Sequence, residues 1–162
     1  MNPSATRFLV ASAAMIAAHE VGDHWVQTGH QACVKGEPGW RGRLACASHC
    51  ATYIATQALT LAAASRWLRV PLGGRAVAAG LALSAASHYF ADRRTPLARV
   101  ARAVGSGGYL DEAVVVRRPG AEPATTGPGT GSFHLDQSWH YGWIFVAALV
   151  IAGRADQAGG SL

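Results

Sequence analysis

Residues 44–64 run for 21 residues without a formal charge. Wound as an α-helix, such a run is about 31 Å long, the thickness of a bilayer core. Three more apolar segments accompany it, at about 7–26, 75–91 and 138–153. The last two are shorter, a length that suits either a span or a buried helix. The pattern predicts an all-α, four-helix transmembrane bundle threaded up-down-up-down, forming a single integral membrane domain over 1–162. Trp25, Trp40, Trp67, Trp139 and Trp143 stand near segment ends, where an interfacial aromatic belt would put them. The implied localisation is the bacterial inner membrane, with the lipid bilayer as partner. The competing expectation is a soluble, Ala-rich helical bundle.

Only 14% of the chain is charged and half is hydrophobic, which excludes a disordered or acidic solvating protein. One Lys and thirteen Arg outweigh nine Asp and Glu, and the cations lie mostly between the apolar runs. That placement reads as loop charge facing anionic lipid, and no nucleic-acid partner is expected. Cys46 and Cys50, one turn apart in an apolar run, read as small hydrophobes. With Cys33 they make an odd count that implies no disulfide framework.

The connections are uneven. Residues 27–43 read as a polar loop, 65–74 as a tight turn, and 93–135 as a long Gly/Pro-rich link, partly disordered, with a short strand expected over 109–117. The first segment has the apolar run of a signal peptide, yet it leads straight into His19 and Asp23, so it reads as a retained span. Cations counted in the two longer loops exceed those on the opposite side, where Arg7, Arg66, Arg69, Arg75 and Arg154 fall. Positive-inside counting therefore puts both loops in the cytoplasm.

The chemistry lies in a recurrence. Seven His and five Asp in 162 residues would give about 0.4 His/Asp pairs at separation four by chance. There are three: His19/Asp23, His88/Asp92 and Asp136/His140. Each falls at the end of a different apolar segment, and the second segment carries a lone His49 near its start. Separation four sets two side chains on one helical face, the way bundles present two ligands to one ion. Up-down threading brings all seven residues to one face. Four imidazoles and three carboxylates suit one or two divalent transition-metal ions, Zn, Mn or Fe. Asp23, Asp92 and Asp136 are also candidate general bases. The plain alternative is interhelical His–carboxylate hydrogen bonding.

Two stripes lead toward these residues: Gly80, Ser84, His88 and Asp92 in the third segment, and His49, Tyr53, Thr56 and Thr60 in the second. Gln27, Arg93, Arg94, His134 and Gln137 are expected to support the ligands or touch substrate. The Arg cluster at 93, 94, 99 and 102 reads as anchoring charge or a phosphate contact. His24 and His30 read as solvated, and Glu20 points about 100° away from His19 on a helix.

The elements H-E-V-G-D-H-W-V-Q at 19–27, the isolated His49, S-H-Y-F-A-D at 87–92 and D-Q-S-W-H at 136–140 resemble a family of small bacterial and phage membrane proteins. That family is a domain of unknown function marked by H-x3-D, a lone His, H-x3-D and D-Q-x2-H. The resemblance covers about residues 8–150 and implies a polytopic membrane domain without an assigned activity. The arrangement is more loosely similar to membrane-bound metal-dependent hydrolases. The expected function is therefore a membrane-embedded metal-dependent hydrolase acting on a phosphate-containing or lipid-borne substrate. Cation or proton transport or sensing, and a purely structural role, are the alternatives.

Overall fold

The computed structural model describes residues 2–153; Met1 and 154–162, including Arg154, lie outside the described residues. The four apolar segments become four long helices: α1 (Pro3–Val21), α3 (Gly39–Leu68), α4 (Gly74–Asp92) and α7 (Gly131–Ala152). Helix α1 packs on α3 and α7, and α4 on α3 and α7, so the four close into a ring.

Local chemistry sets the helix boundaries. Asn2 caps α1 by accepting from the Ser4 amide, and Pro3 occupies the first turn, where its missing N–H costs nothing. Helix α3 ends at Arg69, whose left-handed φ of 54° lets the Val70 amide reach back to the Ser65 carbonyl. Thr130 caps α7, accepting from the Phe133 amide. That cap starts α7 at Gly131, not at the expected 138, and absorbs Asp136 into the helix.

The expected loops hold more structure than their composition suggests. Thr28 and Gln31 form a reciprocal capping box that nucleates α2 (Gly29–Val34) inside the 27–43 segment. The 93–135 link contains α5 (Thr95–Ala103) and α6 (Gly107–Glu112). The strand expected over 109–117 is replaced by α6 and a single antiparallel bridge between Val115 and Ala124. No longer strand forms among the described residues.

The bundle is divided into two halves along its length. One half is apolar: Ala11, Met15, Leu61, Ile144 and Ile151 form the buried core, with Leu72, Val77 and Leu81 packed against it. Each fully buried aliphatic side chain there contributes about 1.5–3 kcal/mol. Gly80 permits the close approach of α4 and α7, since a Cβ there would lie 2.5 Å from Ile151 Cγ1. The other half is polar: buried His19, His49, His88 and His140 meet in it. These residues stand at the ends of α1 and α4 and in the first halves of α3 and α7. Their meeting shows the alternating up-down threading.

The membrane expectation is corrected here. No helix among the described residues is long and apolar enough to cross a membrane. The apolar runs are rich in Ala and Gly and interrupted by Gln57, Ser84, His88 and His140, all buried inside the ring. Those interruptions lower the hydropathy that an uncharged run had suggested. The transmembrane bundle, the multi-pass localisation and the sidedness built on loop charge fall together.

Candidate metal centre

The site begins at the end of α1. Residues Gly22–Val26 widen into a π-turn, closed by the Gln27 amide on the Gly22 carbonyl at 3.0 Å. Such turns recur at functional sites because they re-aim one side chain. Here the turn directs Asp23 into the bundle. It requires Gly22, since a Cβ would come within 2.9 Å of the Tyr53 ring.

Four donor atoms from two helices and the π-turn converge: His49 from α3, His88 and Asp92 from α4, and Asp23 from the turn. His49 Nε2 and His88 Nε2 lie 3.0 Å apart. Asp23 Oδ1 is 3.2 Å from His49 Nε2 and 3.6 Å from His88 Nε2. Asp92 Oδ2 is 3.4 Å from His49 Nε2 and 3.1 Å from His88 Nε2. In a tetrahedral site with bonds of about 2.0–2.1 Å, neighbouring donors stand about 3.3 Å apart. The five distances scatter around that edge length. Among the described residues, Asp23 Oδ1 and Asp92 Oδ2 are buried and make no well-directed hydrogen bond. Leaving such oxygens unsatisfied costs about 1–3 kcal/mol or more each.

Around this tetrad the remaining ligand candidates form a second tier. His19 Nε2 meets Gln137 Oε1 at 3.1 Å, and its Nδ1 lies 3.5 Å from the other oxygen of Asp23. His19 thus packs beside Asp23, its Nδ1 making no well-directed hydrogen bond to it. His140 donates its Nδ1–H to the Asp136 backbone carbonyl at 2.7 Å, leaving Nε2 buried and free of partners among the described residues. Its ring stacks on His19 and meets His88 edge-on. Donor atoms of Asp92, Asp136 and His140 come within 4.8 Å of one another, as do those of His19, Asp23 and His88. The seven predicted ligands therefore occupy one continuous cluster that can hold a metal ion.

Electrostatics prepares the donors. Burial lowers the His88 pKa to about 4, so its imidazole is neutral at pH 7 and its lone pair is available. Burial also lowers His19. Burial would raise Asp23, but the facing His49 and His88 imidazoles outweigh it and hold the carboxyl at about 2. Asp92 follows the same balance: burial opposes ionisation, while His88 and Lys35 keep it well below the carboxylate range. Burial raises Asp136.

The supporting residues divide. Gln137 holds His19, while Gln27 and Arg94 line a cavity of about 450 Å³ that also reaches Asp23, Asp92 and Asp136. Arg93 departs from its expected role: its guanidinium donates to the Lys35 and Glu37 carbonyls, at 2.6 Å each, and clamps the α2–α3 turn. His134 is exposed beside Phe133 and outside the cluster. The third-segment stripe Gly80, Ser84, His88 and Asp92 is buried as expected. In α3 the buried line is instead His49, Tyr53, Gln57 and Leu61, while Thr56 and Thr60 bond to their own helix carbonyls. Cys46 and Cys50 are buried and free, and with Asp92 they place three donors within 4.8 Å.

Of two further participants, the sequence pattern sets Tyr53 only on a stripe leading to the ligands and assigns Lys35 no role at the site. Tyr53 stacks on His88 at 3.8 Å and accepts from Gln57, locking the imidazole plane. Lys35 places Nζ 2.8 Å from Asp92 Oδ1. A signal for it existed: it is the single Lys among fourteen cationic residues.

No protein family, curated protein or solved structure matches this chain. The functional reading rests on the geometry.

Proposed function

We propose that the chain is a metal-dependent hydrolase whose ion is held by His49, His88, Asp23 and Asp92. The observation that carries this reading is the tetrad itself: Asp23 Oδ1 and Asp92 Oδ2 each lie 3.1–3.6 Å from the two Nε2 atoms of His49 and His88, themselves 3.0 Å apart, and both oxygens lack well-directed partners. Two imidazoles and two carboxylates suit Zn, Mn or Fe. A bound divalent ion would lower the pKa of a water molecule and polarise the scissile group.

The chain's own residues supply the rest. Asp136 is the carboxylate outside the tetrad, its side chain 28% exposed toward the cavity, and it takes the proton of the attacking water. His140, tied to the Asp136 backbone, fixes the position of that turn. His19, fixed by Gln137, packs beside Asp23 and limits where its carboxylate can swing. The transport reading presumed membrane-crossing helices and is set aside with them.

Elemental analysis of purified, metal-reconstituted protein tests the reading. One ion per chain is expected, with Asp136→Asn retaining the ion and losing ester turnover. Two ions per chain would reassign Asp136 and His140 as ligands of a second ion sharing Asp92. Metal-free protein that takes up no ion would leave the His–Asp contacts as helix-joining hydrogen bonds and refute the proposal.

A further inference from the structure

The cavity above the tetrad has a charge pattern that ion binding alone does not require. Its charged lining consists of Asp23, Asp92 and Asp136 together with Arg94 and Lys35, the last paired with Asp92 Oδ1. Without an ion the carboxylates outnumber the cations, so an anion is repelled. A single divalent ion reverses that sign. The pocket then attracts anions only when loaded.

Lys35 and Arg94 are each placed by specific structure. Lys35 is largely buried, its side chain 13% exposed, and Arg93 fixes its backbone through the carbonyl contact. Arg94 has a φ of +59°, a conformation that non-glycine residues seldom adopt. Its guanidinium spends one donor on the Ala32 carbonyl at 3.3 Å, and the side chain lines the cavity. Gly36 makes room for it: a Cβ there would lie 2.6 Å from Arg94 Cδ. A compact ammonium and a planar guanidinium flanking a metal are the donors that a phosphate recruits.

We propose that Lys35 and Arg94 form the phosphate-reading wall of the metal cavity, so that the substrate is a phosphate monoester. This inference rests on the metal-dependent hydrolase reading above. In the reaction, the oxygen of water adds to phosphorus and the P–O bond to the alcohol breaks. The alcohol departs carrying a proton, and inorganic phosphate is the second product. Water is the only co-reactant. Lys35 and Arg94 hold the non-bridging oxygens, and the organic group lies against Leu97, Leu110 and Phe133.

Titration of metal-loaded protein with inorganic phosphate, followed calorimetrically, tests the wall. Binding is expected in the wild type and not in the metal-free protein. Arg94→Gln should weaken it tenfold or more with metal content unchanged; Lys35→Met, which also removes the partner of Asp92 Oδ1, should weaken it tenfold or more per ion bound. Gly36→Ala, which displaces the Arg94 side chain without removing its charge, should weaken it as well. Turnover of a water-soluble monoester or of phosphatidic acid vesicles then separates a soluble substrate from a lipid headgroup; either supports the proposal. Full metal loading without phosphate affinity, or equal phosphate affinity in Lys35→Met and Arg94→Gln, would overturn the phosphate wall and leave the metal centre standing. Failure to load any ion would overturn both.

Discussion

Substitution of His49 by Gln tests the tetrad most directly. His49 is fully buried and its Nε2 lies within 3.0–3.4 Å of the three other donors. The amide fills most of the imidazole volume without supplying the aromatic nitrogen at the same point. Loss of one of four ligands should weaken the ion by about a hundredfold, or about 2.7 kcal/mol. The effect is readable as heat stability. At an ion concentration of about 100 times the wild-type Kd, binding stabilises the fold by about 2.7 kcal/mol. For a domain of this size that raises Tm by about 5–10 °C. The same concentration is then close to the Kd of His49→Gln, where binding contributes about 0.4 kcal/mol and about 1 °C. Differential scanning fluorimetry with and without Zn2+ measures both. The metal-free variant serves as the control and should unfold within about 1.5 kcal/mol of metal-free wild type, since the swap nearly conserves volume. An undiminished metal-dependent Tm rise in His49→Gln would refute the tetrad.

Three further outcomes are expected of the same molecule. Because the folded pKa of His88 is about 4, against about 6.5 unfolded, the unfolded chain binds more protons between these values. Metal-free stability should therefore be full above pH 6.5 and fall by about 3 kcal/mol on acidification to pH 4, as urea titrations would register; a flat profile would refute neutral burial. Gly80→Ala should cost about 1–3 kcal/mol by thermal unfolding, because its Cβ meets Ile151 and, at 3.0 Å, the Ala147 carbonyl. Arg93→Ala should remove two charge-assisted bonds to the α2–α3 turn and cost about 1.5–3 kcal/mol, with faster amide exchange in α2 as the local readout.

The four long helices were legible because apolar periodicity needs no tertiary information, and His19/Asp23, His88/Asp92 and Asp136/His140 were legible because separation four is fixed by helical geometry. What escaped depended on contacts distant in sequence. Lys35 reaches Asp92 only after α2 folds back on α3, and α2 hides in a six-residue segment whose capping box is its one signal. Tyr53 earns its place from a ring 35 positions away. Arg93 and Arg94 look alike in sequence, yet the backbone reversal at Arg94 sends one guanidinium into the α2–α3 turn and the other to the cavity. The bilayer expectation failed for a different reason. An uncharged run records missing charge, whereas crossing a membrane requires sustained apolarity, which Ala, Gly, Thr and Gln do not supply.

The division of the bundle into an apolar and a polar half bears on what the polar half is for. Helix-joining hydrogen bonds would leave few donors and acceptors unpaired, because each such bond satisfies both ends. The opposite holds here: among the described residues His19 Nδ1, His49 Nδ1, His88 Nδ1, His140 Nε2, Asp23 Oδ1 and Asp92 Oδ2 are all buried without a well-directed partner. At about 1–3 kcal/mol for each unpaired group, the layer costs a sum comparable with the whole stability of a domain. An apolar layer of the same volume would remove that cost. An ion recovers part of it: of these six groups one cation satisfies Asp23 Oδ1 and Asp92 Oδ2, the two that carry charge, and binding free energy becomes folding free energy. On this argument the metal-free protein is the strained form. Removing one carboxylate should then stabilise it while abolishing ion uptake: Asp23→Asn is expected to raise the metal-free Tm and to lose the Zn2+-dependent rise. A variant that lowers both would show that Asp23 serves the fold through its contacts with His19 and His49, and would refute the account of the layer as strained for metal.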